Sequence, residues 1–186
     1  MSDLVSLEYV LARWAYSELP SSRYDRLSAP ELKKKALERV RFDDLNDKEH
    51  SSLVQAWRRV RGAPDVIQGL TGISTFQLAH WSTEQLSTAY VIPYLVRDIA
   101  SDSLTHIIRV SFKLWIQAEP VRPFNQGHAR YAAFGTAPPS MEDNPLTVGR
   151  NPEGLPMLLD GYHRAVRFWN ANDPAATLAV YTPTTS

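Results

Sequence analysis

The segment from Pro156 to Trp169 restricts the fold of this chain more than any other. Pro156, Met157, Leu158 and Leu159 make an apolar run of strand length that stops at Asp160-Gly161, and Ala165, Phe168 and Trp169 then recur at helical spacing. The segment reads as strand, tight turn, helix. At such a junction the first helical N–H groups lack intrahelical partners and face whatever sits on the turn, with the positive end of the helix dipole behind them. An anion fits there, phosphate above all. Asp160 supplies a hydrogen-bond acceptor or a Mg²⁺ ligand, Gly161 backbone room, His163 a proton carrier and Arg164 a fork for phosphate oxygens. The turn is therefore the expected active site. Asp160, His163 and Arg164 are its candidate catalytic groups; Gly161, Tyr162 and Arg164 are its candidate ligand-binding groups.

Each of these residues also has a structural use. Asp-Gly is good turn chemistry, an arginine can pair with a neighbouring carboxylate, and a histidine can be packed and hydrogen-bonded. Tyr162 can stack on a base or fill a core.

The run Asn144-Pro145-Leu146-Thr147-Val148-Gly149-Arg150, the turn Asn151-Pro152-Glu153-Gly154 and the stretch from Met157 to Ala165 together resemble the core of the ParB-like/sulfiredoxin superfamily. Members show a Pro-led strand, a short hairpin, a second strand ending in Asp-Gly-x-His-Arg or a related Gly-x-x-Arg, a helix and a closing strand. Thr177 to Tyr181 would be that closing strand. The resemblance is confined to the final quarter of the chain, and departures from the pattern select among branches. Sulfiredoxins carry a reactive cysteine where this sequence has Tyr162, and the chain contains no Cys, which excludes thiol chemistry. ParB proteins that bind CTP carry a Gly-Glu-Arg-Arg type motif followed by DNA-binding helices, whereas about twenty residues follow Arg164, room for a helix and a strand. The Asp-Gly-His-His-Arg branch, which includes free-serine kinases using ADP or ATP, is closest. The resemblance implies an α+β domain with a small mixed sheet and flanking helices, and a phosphate-handling site using ATP or ADP with Mg²⁺. That branch also uses an upstream glutamate to activate a substrate hydroxyl. Glu84 and Glu119 are the positions on offer, and neither sits in a matching motif.

At 186 residues the chain suits one domain, or one domain with an appendage. Its formal net charge of +0 argues against a dedicated duplex-DNA binder, although a local basic patch can still exist. No apolar run reaches the roughly 20 residues that a bilayer span needs. The start Met-Ser-Asp-Leu-Val lacks the basic and apolar regions of a signal peptide, so a cytoplasmic protein without membrane contact is expected.

Residues 1–64 read as an N-terminal helical extension and residues 65–186 as the α+β domain. Leu4, Leu7, Val10, Leu11, Trp14 and Ala15 predict a helix from Leu4 to Leu19. Ser28-Ala29-Pro30-Glu31 and Asn46-Asp47-Lys48-Glu49 have capping arrangements ahead of two more, with stripes Leu32, Ala36, Val40, Phe42 and Leu53, Ala56, Trp57, Val60. Their exposed faces carry Lys33, Lys34, Lys35, Arg39, Arg41, Arg58, Arg59 and Arg61 among acids, a pattern commoner for a solvated paired face than for a nucleic-acid surface. Ile73 to Leu78 is a predicted strand, Tyr90 to Val96 an ambiguous one divided by Pro93, and Ser103 to Gln117 a mostly buried helix with strand as the alternative.

A second polar constellation, Phe124 to Tyr131, places His128 and Arg130 around Gly127, where they can face the Asp160 turn and bind an anion. Three functional readings follow. The first is a phosphotransferase or phosphohydrolase acting on a small molecule through the Asp160 turn. The second is a non-catalytic ParB-like module binding nucleic acid or protein through the basic helices. The third is a lyase or isomerase using His128 as base in the Gly127 loop.

Overall fold

A computed structural model describes residues 4–19, 30–62, 69–91, 111–118, 145–171 and 173–184. The chain is mixed α/β, with a six-stranded mixed sheet and flanking helices. The strands are β1 (Leu4–Ser6), β2 (Thr75–Trp81), β3 (Tyr90–Val91), β4 (Leu146–Arg150), β5 (Pro156–Asp160) and β6 (Leu178–Pro183), in spatial order β1-β2-β6-β4-β5-β3. The helices are α1 (Leu7–Glu18), α2 (Pro30–Leu37), α3 (Asp47–Arg61), α4 (Thr83–Thr88), α5 (Phe112–Ala118) and α6 (Tyr162–Ala171). Two compact units divide the chain. One holds Met1–Gln77 with Pro183–Ser186, the other Leu78–Thr182; the expected boundary lay at 64/65.

In the first unit the helix expected from Leu4 begins at Leu7. Ser6 is extended and its Oγ accepts the Tyr9 amide, which ends the helix upstream. Leu4–Ser6 instead form a strand pairing antiparallel with Gln77, Phe76 and Thr75. The expected capping box at Asn46 and Glu49 is present, each side chain accepting the other's amide at 3.0 Å. Tyr9 with His50, Trp14 with Trp57 and Glu18 with Arg61 meet in the same chain order, so α1 and α3 run parallel. The stripe expected to continue from α2 through Phe42 is interrupted. Arg39 takes φ +59, its amide donates to Ala36 and that of Val40 donates to Lys35, a Schellman ending with arginine in the place that glycine suits best. Phe42 then packs in a 3-10 turn, stacked on His50 at 4.5 Å with the Arg13 guanidinium over its ring at 5.1 Å. The Ser28 capping arrangement lies outside the described residues.

The strand expected at Ile73–Leu78 is β2, displaced toward Trp81, and in the second unit a Ser82/Gln85 capping box starts α4. Of the ambiguous Tyr90–Val96 run, Tyr90 and Val91 are strand, parallel to β5. The helix predicted over Ser103–Gln117 is seen from Phe112 to Ala118; residues 103–110 lie outside the described residues. β4 and β5 form an antiparallel hairpin, and β4 pairs parallel with β6. Asn151 organises the hairpin turn, its Oδ1 accepting the amides of Glu153 and Leu155. The core joins Leu146, Val148, Leu158 and Val180 of the sheet to Phe112, Trp115, Ala165, Val166 and Phe168 of the helices. The strand, turn and helix read from Pro156 onward are thus β5, Gly161 and α6, and the closing strand that the resemblance implied at Thr177–Tyr181 is seen as β6, Leu178–Pro183.

Candidate functional site

The corner between β5 and α6 is built by three local facts. β5 is interrupted by a bulge: Val148 faces Leu158, but the next β4 residue, Thr147, faces Asp160, which leaves Leu159 as the extra residue. Without that bulge Thr147 would face Leu159. Gly161 follows with φ +92, a region open to glycine and strained for other residues. Its carbonyl accepts the Ala165 amide at 2.9 Å, the first hydrogen bond of α6, so Gly161 stands in the capping position. Ser6, Asn46 and Ser82 cap their helices with a side-chain oxygen, and Gly161 has no side chain to do so. The amides of Tyr162, His163 and Arg164 precede the first intrahelical bond and stand outside the ladder of α6.

Arg164 folds back over this turn. Its Nη2 donates to Asp160 Oδ2 at 3.0 Å, and the two side chains are 19 % and 16 % exposed. Its Nε is buried without a hydrogen-bond partner. A Cβ added to Gly161 would overlap Leu146 Cδ2 and come within 2.7 Å of Arg164 Nη2. The Cα face of the turn is therefore occupied by a leucine and a guanidinium. Tyr162 is engaged by the protein itself: its hydroxyl donates to the Leu158 carbonyl at 2.6 Å and its ring meets Trp115 edge-on at 5.5 Å.

Among the predicted site residues, Asp160, Gly161, Tyr162 and Arg164 share this corner. The side chain of His163, and both His128 and Arg130, lie outside the described residues. So does Glu119, while Glu84 is exposed in the first turn of α4. Thr147, opposite Asp160, is a residue that sequence reasoning missed, because a bulge leaves no signature in an apolar run. No group of three or more His, Asp or Glu side chains able to hold a metal occurs among the described residues. A Mg²⁺ ion at Asp160 would then take most of its ligands from phosphate oxygens and water, the usual arrangement for this ion.

The basic helix faces resolve largely into pairs. Lys35 meets Glu49 at 2.6 Å, Arg58 meets Glu8 at 3.2 Å, Arg61 meets Glu18 and Lys34 meets Glu38 at 3.8 Å. A groove of about 380 Å³ between α1 and α3 is lined by Glu8, Tyr9, Asp47, His50 and Arg58. Several of its polar groups are occupied by protein partners: Tyr9 donates to Asp43, His50 Nε2 lies 3.2 Å from the Phe42 carbonyl, and Arg58 is paired. Among the described residues no helix is long and apolar enough to cross a membrane. No protein-family model, curated protein or solved structure matches this chain.

Proposed function

We propose that the β5–α6 corner of a ParB/sulfiredoxin-like domain binds the phosphate of a nucleotide or phosphorylated small molecule, and that the chain is a phosphotransferase or phosphohydrolase. The observation that carries this reading is the placement of the Arg164 guanidinium over the glycine that begins α6. Helix amides and a fixed cation then act on the same anion. The Arg164 Nε has no hydrogen-bond partner and is a donor besides the one given to Asp160. Asp160 keeps Arg164 oriented, and a carboxylate there suits one ligand position of Mg²⁺ or a substrate hydroxyl. ATP or ADP with Mg²⁺ would supply a transferable phosphoryl group and its charge neutralisation; the residues of the corner hold and orient.

The non-catalytic module is the second reading, and one observation favours it: Asp160 and Arg164 are four residues apart on one turn and pair with each other, the ordinary structural use of such residues. Calorimetric titration of ADP and ATP, with and without Mg²⁺, separates the two. Wild type is expected to bind, and Arg164→Ala to bind about 10- to 100-fold more weakly, the loss of a charge-assisted hydrogen bond. Equal affinity of both proteins, or no binding to either, removes the phosphate reading. The module is supported instead if binding to DNA falls steeply with salt and is lost on reversing Arg58 and Arg59.

A further inference from the structure

We draw no further inference here: the strongest candidate, the groove between α1 and α3 lined by Tyr9, Asp47, His50 and Arg58, carries nothing because Tyr9, His50 and Arg58 already meet protein partners and nothing in the structure shows what would occupy it.

Discussion

Replacing Gly161 by alanine tests the geometry of the corner with a magnitude that can be worked in advance. Two costs add. A φ of +92 in a residue bearing a Cβ costs about 1–2 kcal/mol. The new methyl would also overlap Leu146 Cδ2 and crowd Arg164 Nη2 at 2.7 Å, and forced overpacking of this kind costs about 1–3 kcal/mol. Leu146 is fully buried in the sheet core and has little freedom to retreat. Gly161→Ala should therefore destabilise the chain by roughly 2–5 kcal/mol. Gly154 in the hairpin turn is the internal control, because its φ of +79 is similar while a Cβ there meets nothing within 4 Å. Gly154→Ala should show the backbone cost alone, about 1–2 kcal/mol. Urea unfolding followed by tryptophan fluorescence measures both. Equal costs for the two variants would refute the close approach of Leu146 and Arg164 to Gly161, and with it the site as described.

Arg39→Gly should stabilise the chain by about 0.5–1 kcal/mol in the same assay, because it relieves a left-handed residue at the end of α2; a loss of stability would contradict the Schellman ending. Glu49 should contribute to acid sensitivity. Its carboxyl is held below the usual range, first by the hydrogen bond from Lys35 and then by the Asn46 amide. A carboxylate lowered in the folded state gives stability that is present above its ordinary value of 4.5 and lost as pH falls through the folded value. The gap in unfolding free energy between wild type and Glu49→Gln should accordingly narrow from pH 7 to pH 3. A gap independent of pH would contradict this.

What was legible in the sequence was mostly local. The Asn46–Glu49 capping box and the change of period at Asp160-Gly161 depend on neighbours within one turn, and both are present. The hairpin and closing strand of the C-terminal region were expected from the resemblance alone, and strands are present there as β4, β5 and β6. Non-local partners decided the rest. Leu4 has helical spacing to Leu7 and Val10, but Ser6 caps α1 and the preceding residues find a strand partner in β2. Arg58 and Glu8 are far apart in the chain, so their pairing was invisible in a charge pattern read helix by helix. In the candidate site, the Asp160–Arg164 pair was open to view as an i,i+4 spacing, whereas the bulge that sets Thr147 against Asp160 arises only when β4 and β5 pair. The third reading, built on His128 in the Gly127 loop, lies outside the described residues, as does Arg130.

Amide NMR during an ADP titration with Mg²⁺ tests the phosphate site most directly, because it reports on the proposed donors rather than on affinity alone. With phosphate held at the start of α6, the backbone amides of Tyr162, His163 and Arg164 should shift most, saturate with one dissociation constant, and stay still in Arg164→Ala at the same concentrations. Shifts confined to the α1–α3 groove, or none at the start of α6, would contradict a phosphate site at this corner.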